Sequence, residues 1–384
     1  MRVTQFASLR SPFRWRAEPS PYLVFDPFPG GRVFVLSERE RDILGYLLGD
    51  SGAPPGLSTA ELLHFVNTSP EFLDADYQTL GSRPIAEGAL PVTVATADSN
   101  SKRQIIGFPI RATYLITRLC NAKCAYCTIS TLRSDSPHAH QPGALPSRDQ
   151  VAELASLGIV GFALHGGEPL LVADLPRFVS QLAFFGFAIS VSTRIPKESE
   201  YWLAMKHGGL ALLQHSVELN AVSREMLCSI EAASRAGLDV IVNVVLTRDN
   251  VSHLPANIEA VRRILDAGAR EIRFERMLPA YGRPLPRSLF PDELQVSEFA
   301  RMLRSKIGAK AVFGAQPIEP EDECDSHPAD LIFADDGYVY PCDRLAYSVE
   351  HRLHNWRIYG FADSVQCEKR SSLPCPFAER SASI

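Results

Sequence analysis

Between Arg111 and Glu275, short apolar runs alternate with amphipathic helical stretches. The runs fall at 111–117, 159–164, 187–193, 211–217, 238–246 and 270–275, each short enough for a buried strand. The stretches between them carry helix signals. One opens at Ser147 and stops at Gly158; another runs from Asp174, with Pro176 in its first turn, to Phe185. Lys197–His207, Val222–Ala236 and His253–Ala267 complete the set, the last two stopping before Gly237 and Gly268. Strand and helix in alternation imply parallel strands joined by crossover helices. Six such units are too few to close an eight-stranded barrel, and in an open α/β sheet reactive groups gather at the C-terminal ends of the strands.

Directly after the first run stands Cys120-Asn-Ala-Lys-Cys124-Ala-Tyr-Cys127. Three thiols on one loop are a ligand set for zinc or an iron–sulfur centre. Three cannot complete the four-thiolate ligation of an ordinary [4Fe–4S] cluster, so one iron would stay open. An open iron is what a cluster needs to bind a substrate rather than only carry electrons. A zinc knuckle completed by His138 or His140 is the competing reading of these residues.

Cys-x3-Cys-x2-Cys, with the aromatic Tyr126 before its last member, resembles the signature of the radical S-adenosylmethionine (radical SAM) superfamily. The resemblance implies that Cys120, Cys124 and Cys127 hold a [4Fe–4S] cluster whose open iron is chelated by SAM. It implies reductive cleavage of SAM to methionine and a 5′-deoxyadenosyl radical, which abstracts hydrogen from a substrate. It further implies an α/β fold, a (β/α)6 partial TIM barrel at 108–312, and places Tyr126 near adenine. A second match strengthens it: His165 precedes Gly166-Gly167-Glu168-Pro169, 39 residues after Cys127 and at the end of the second run. This is similar to the superfamily's Gly-Gly-Glu-Pro turn, which meets the methionine amino group. Glycines allow close backbone approach, and a carboxylate accepts from an ammonium.

Three further strand ends are expected to contact SAM on the same resemblance. Ser192-Thr193-Arg194 stands where relatives read Ser/Thr-Asn-Gly, with the arginine a departure. Ser216-Val217-Glu218 resembles a Ser-Leu-Asp of the sulfatase-maturase type. Those relatives carry an arginine twelve residues on; here the position is Cys228, with Arg224 nearby. Leu246, ending the fifth run, is expected against adenine. Cys228 itself, at an apolar helical position, reads as a core residue.

The C-terminal segment, 313–384, opens with Cys324-x12-Gly337-x4-Cys342. Within it, Leu331-Ile-Phe and Tyr338-Val-Tyr flank an Asp-Asp-Gly turn, a hairpin. The unit resembles the start of SPASM and twitch domains. With only Cys367 and Cys375 to follow, the resemblance implies a shortened, twitch-like domain holding one auxiliary [4Fe–4S] cluster on Cys324, Cys342, Cys367 and Cys375. The same four thiolates would also suit zinc. Asp335, Asp336 and Asp343 are candidates for a base, against the ordinary reading of solvated turn carboxylates.

Residues 1–95 form a small α+β unit: a hairpin of Tyr22–Pro27 and Arg32–Leu36 around Pro29-Gly30-Gly31, then helices opening at Ser37 and Ser58. Ser37 with Glu40 makes a capping box. Such a front end resembles the leader-peptide-binding region of peptide-modifying radical SAM enzymes, and a wrapper completing the barrel is the even alternative. Residues 81–107 read as a polar linker.

A net charge of −5 gives no reason to expect a nucleic-acid partner, and no apolar run reaches the length of a membrane span. The N-terminus carries four arginines and interrupting prolines, unlike a signal peptide. Clustered cysteines in an otherwise ordinary composition fit a reducing cytoplasm better than a disulfide framework. The domain order most resembles maturases of ribosomally made peptides. It implies an oxidoreductase that modifies a precursor peptide, for instance by a cross-link, served by an electron donor such as flavodoxin or ferredoxin. The alternatives are a dehydrogenase of a small sugar or aminocyclitol, and a non-catalytic zinc-binding module.

Overall fold

The computed structural model describes residues 7–9, 14–16, 22–25, 33–48, 51–69, 73–75, 111–122, 124–127, 132–133, 145–277, 286–307, 311–313, 330–340, 352–359 and 361. The chain divides into two compact units, Met1–Gly107 and Phe108–Ile384.

In the first unit β1 (Ala7–Leu9) pairs with β5 (Leu73–Ala75), and β2 (Arg14–Arg16), β3 (Tyr22–Phe25) and β4 (Val33–Leu36) form an antiparallel sheet. Tyr22 opposes Leu36 and Phe25 opposes Val33, the expected hairpin. Helix α1 (Glu38–Leu48) starts with the expected capping box: Glu40 N donates to Ser37 Oγ at 3.2 Å and Ser37 N to Glu40 Oε2 at 2.7 Å. Ser58 caps α2 (Thr59–Thr68) in turn, accepting from Glu61 N. Ile43, Leu44, Leu47, Leu62, Phe65 and Val66 make the buried face.

The second unit is a ten-stranded sheet. All six expected strands are present: β6 (Arg111–Leu115), β9 (Gly161–His165), β10 (Ala188–Thr193), β11 (Leu210–Ser216), β12 (Asp239–Leu246) and β13 (Glu271–Arg276). They run parallel in that spatial order. Between β6 and β9 a short parallel pair, β7 (Leu119–Cys120) and β8 (Leu132–Arg133), brackets the cysteine loop. A further short strand, β14 (Ala311–Phe313), extends the sheet beyond β13. The crossovers are α3 (Arg148–Ser156), α4 (Leu175–Phe184), α5 (Ser199–His207) and α6 (Arg224–Arg235). After β12 the connection is split into α7 (Arg248–Ser252) and α8 (Leu254–Asp266), because Pro255 can only open a helix. Helix α9 (Glu293–Ile307) precedes β14. The fold is thus mixed α/β on a parallel sheet, as the sequence pattern implies.

Strand β15 (Asp330–Ala334) pairs parallel with β6, Asp330 opposite Arg111 and Ala334 opposite Leu115. β16 (Tyr338–Tyr340) and β17 (His354–Asn355) continue the sheet antiparallel, followed by the turn-length helix α10 (Trp356–Tyr359). The expected hairpin therefore exists, but its first strand is part of the main sheet. Aromatic packing explains this. The Tyr114 and Phe333 rings stack at 4.7 Å, Trp356 meets both edge-on, and Phe361 stacks on Trp356 at 5.1 Å. Burying each such ring contributes roughly 1.5–3 kcal/mol.

Candidate functional site

The expected SAM-site residues converge on the C-terminal edge of the sheet. His165 ends β9, and the Gly166–Glu168 turn lies against the chain that leads into the cysteine loop. Gly167 N donates to Thr117 O at 2.6 Å, Glu168 N to Leu119 O at 2.7 Å, and Ile116 N to His165 O at 2.9 Å. The glycines are required by the chain's own backbone. A Cβ on Gly167 would stand 2.1 Å from Leu119 O, and one on Gly166, whose φ is +128°, 2.5 Å from Thr117 O. The two sequence motifs are thus one structural object.

Glu168 is 2 % exposed and caps the 3-10 turn Pro169–Leu171. Its Oε1 accepts from the Thr193 hydroxyl at 2.6 Å and Leu170 N at 3.0 Å; Oε2 accepts from Arg194 N at 2.9 Å. Burial raises its pKa, and these donors oppose the rise. Three donors leave little of the carboxylate free for an ammonium ligand.

Cys120 is buried and Cys124 and Cys127 are half-buried; none is in a disulfide. Burial raises the Cys120 thiol's pKa, Ala122 N donates to its sulfur, and Glu168, Cys124 and Cys127 push it up further. Among the described residues the thiols are not drawn into one ligand set. Cys124 Sγ instead meets the Arg194 guanidinium. Arg194 Nη2 also lies 2.9 Å from Glu218 Oε1, and the Tyr126 hydroxyl donates to that same oxygen. Burial works against the arginine's charge, yet Tyr126, Cys124 and Glu218 together raise its pKa. Burial and the bond to Glu218 both raise that of Tyr126. Cys124, Tyr126, Arg194, Glu218, Thr247 and Asp249 line a cavity of about 440 Å³. Thiols on one loop, a sulfur already accepting a backbone N–H and a guanidinium beside them suit an anionic iron–sulfur cluster by the chemistry of the donor set.

The other expected contacts are placed less uniformly. The Ser192 hydroxyl donates to Gln214 Oε1 at 2.9 Å, and Asn243 Nδ2 reaches that oxygen at 3.4 Å, a polar row across three strands. Ser216 ends β11 and is half-buried. Leu246 is 3 % exposed and packs in the large apolar core. Cys228 is exposed, a correction to the core reading: on α6 it is Ser229, Ile230 and Ala233 that are buried. Asp336 is tied into its hairpin by Tyr338 N, the Tyr340 hydroxyl and Arg352, as a turn carboxylate rather than a free base. Cys324, Cys342, Asp343, Cys367 and Cys375 lie outside the described residues. Sequence reasoning did not rank Arg194, Glu218 or Asn250 as site residues. The signal for them was positional: charged or amide side chains just past β10, β11 and β12.

No protein-family profile matches the chain. A probable GTP 3′,8-cyclase of Methanococcus maripaludis is 26 % identical over 267 residues, 62 % of this chain and 86 % of that protein. A probable GTP 3′,8-cyclase of Aeropyrum pernix is 32 % identical over 156 residues, 35 % of this chain. A PqqA peptide cyclase of Xanthomonas axonopodis is 27 % identical over 169 residues, 39 % of this chain. The chain spans only 42 % and 43 % of the lengths of these last two. In fold it resembles Streptococcus suis SuiB, solved with S-adenosylmethionine and with the precursor peptide SuiA. The TM-score is 0.60 at 12 % identity, over 95 % of this chain and 90 % of that one. These sequence relatives and structural neighbours are radical SAM proteins, the same family that the cysteine motif resembles. A second structure, anSMEcpe with bound AdoMet, agrees in fold at TM-score 0.54 and 15 % identity, over 68 % of this chain and 82 % of that one. Radical SAM homologues bind SAM and a [4Fe–4S] cluster. Among the described residues no helix is long and apolar enough to cross a membrane.

Proposed function

We propose that this radical SAM enzyme abstracts a hydrogen atom from a residue of a ribosomally made precursor peptide and leaves an oxidative modification such as a cross-link. The observation that carries the site assignment is the backbone pairing of Gly167 and Glu168 with Thr117 and Leu119, which fixes the methionine-side turn against the cysteine loop. In this reading Cys120, Cys124 and Cys127 hold the cluster, which supplies the electron that cleaves SAM. The Gly166–Pro169 turn receives the methionine end, Tyr126 packs near adenine, and Ser192 contacts SAM from the end of β10. The likeness to SuiB over most of the chain and the match to a PqqA peptide cyclase support a peptide substrate. The four C-terminal cysteines would hold an auxiliary [4Fe–4S] cluster that accepts the second electron, and residues 1–95 would bind the leader. A one-electron donor of the flavodoxin or ferredoxin kind would reduce the protein.

A small-molecule substrate is the second reading, favoured by the GTP 3′,8-cyclase relatives. Against it, among the described residues the cavity is lined by Glu218 and Asp249 beside one arginine, a poor welcome for a polyphosphate.

Anaerobic reconstitution with iron and sulfide tests the reading. About eight irons per chain are expected for two clusters, falling to about four when Cys120, Cys124 and Cys127 are all replaced by alanine. With dithionite and SAM the parent should release 5′-deoxyadenosine and the triple variant none. Folded protein that takes up no iron would overturn the reading. Turnover of a small molecule by a chain lacking residues 1–95 would favour the second one.

A further inference from the structure

Arg194 is held from three sides. Its backbone N donates to Glu168, its Nη2 to Glu218, and its Nη1 meets the sulfur of Cys124. Glu218 is itself fixed: the Tyr126 hydroxyl shares its Oε1, and Asn250 Nδ2 reaches its Oε2 at 3.5 Å. The guanidinium and the carboxylate are each about three-quarters shielded, with side-chain exposures of 24 % and 23 %. A guanidinium stays charged and can only donate, so its contact with a thiolate is a charge-assisted hydrogen bond. Among the described residues, the others that line the cavity, Ala122, Tyr126, Asn220, Thr247 and Asp249 among them, are neutral or acidic.

We propose that Arg194 is a positioning residue that sets the reduction potential of the cluster, through its hydrogen bond and positive charge at Cys124. The proposal rests on the reading that Cys120, Cys124 and Cys127 hold a [4Fe–4S] centre. Reduction adds one electron from an external one-electron donor and makes the centre one charge more negative; no bond in the protein forms or breaks. Hydrogen bonds to sulfur and nearby charge are among the factors that set such potentials. A fixed cation at one ligand sulfur stabilises the reduced form, so it moves the midpoint in the positive direction. Glu218 acts in the opposite sense, because it holds Arg194 in place while cancelling part of its charge.

The test is an anaerobic potentiometric titration of the reconstituted full chain, followed by electron paramagnetic resonance. The signal that changes on adding SAM identifies this cluster. Arg194→Met should have a more negative midpoint than the parent, Arg194→Gln should fall between them, and Arg194→Lys should lie nearest the parent. Glu218→Gln, which removes a negative charge but keeps an acceptor, should move the midpoint the other way. An Arg194→Met midpoint equal to the parent's overturns the proposal. If Arg194→Met takes up no iron, the Lys and Gln variants decide: a more negative midpoint in Gln supports the proposal, and equal midpoints overturn it. If none of the variants takes up iron, Arg194 serves only to shape the loop and the tuning role is overturned. A parent chain that takes up no iron overturns the functional reading as well, whereas iron uptake with an unmoved midpoint defeats this proposal alone.

Discussion

The Thr193 hydroxyl lies 2.6 Å from Glu168 Oε1, joining the end of β10 to the turn after β9. Both residues are buried, at 3 % and 2 % exposure, so the bond is shielded from water. Thr193→Val keeps the shape and removes the donor. Leaving a buried carboxylate short of one partner should cost about 1–3 kcal/mol, read as a lower midpoint in chemical denaturation. Equilibrium dialysis of the reconstituted protein should show weaker SAM binding. An unchanged midpoint would mean that Leu170 N and Arg194 N suffice for Glu168.

Gly167→Ala should be more damaging than its single methyl suggests. The added carbon would meet the carbonyl of Leu119, a backbone atom one residue from Cys120. Overpacking of this kind costs about 1–3 kcal/mol, and here the strain falls on the cysteine loop. Thermal unfolding should shift down, and iron uptake at the first site should fall by more than half. Gly158→Ala is the control, since it has open space around it and only its φ of +80° to oppose the change. Its cost should stay near 1 kcal/mol, with iron uptake intact.

Acid should weaken the protein through His215. Burial lowers its pKa to about 4, and the nearby Arg194 charge acts in the same direction. Unfolded, this histidine takes up a proton near pH 6.5; folded, it does so only near pH 4. The unfolded state therefore binds more protons across that window, and stability falls as the pH is lowered through it. The slope for one such histidine is about 1.4 kcal/mol per pH unit. Denaturant melts at pH 6.5, 5.5 and 4.5 should show a shallower fall for His215→Gln than for the parent. Equal slopes would remove His215 from the account.

In the first unit, Arg39 grips Glu61 with two bonds, Nε to Oε1 at 2.7 Å and Nη2 to Oε2 at 2.8 Å, pinning α1 to α2. The bond from Arg39, opposed by burial, lowers the pKa of Glu61. Arg39→Ala would strand a carboxylate that is 4 % exposed, at a cost of about 1–3 kcal/mol above pH 5. Because a depressed carboxyl stabilises only while ionised, the difference from the parent should shrink as the pH falls through the pKa of Glu61. A difference that persists at pH 3 would assign the effect to packing of the arginine stem.

The strands of the sheet were legible because each is apolar and bounded by helices, one opening at the expected Ser147, which accepts from Gln150 N. The pairing of cysteine loop and Gly-Gly-Glu-Pro turn was legible as two motifs, though not as backbone partners. Glycine spacing does not say which chain will come close. Strand β14 was missed because Ala311–Phe313 is only three residues long. The hub of Arg194, Glu218 and Tyr126 was missed because it joins positions 24 and 92 residues apart. Only the closure of strands β10 and β11 brings them together.

The parallel pairing of β15 with β6 sets an order of events. The strand that feeds the cysteine loop is flanked on one side by β9 and on the other by a segment roughly 220 residues further along. While the chain is being made, β6 keeps one open edge until residue 334 has emerged, and the Tyr114 ring has no Phe333 to stack on. The strand that leads into the cysteine loop is therefore flanked on both sides only late in synthesis. A chain stopped short of that strand would expose an aggregation-prone edge beside its three thiols.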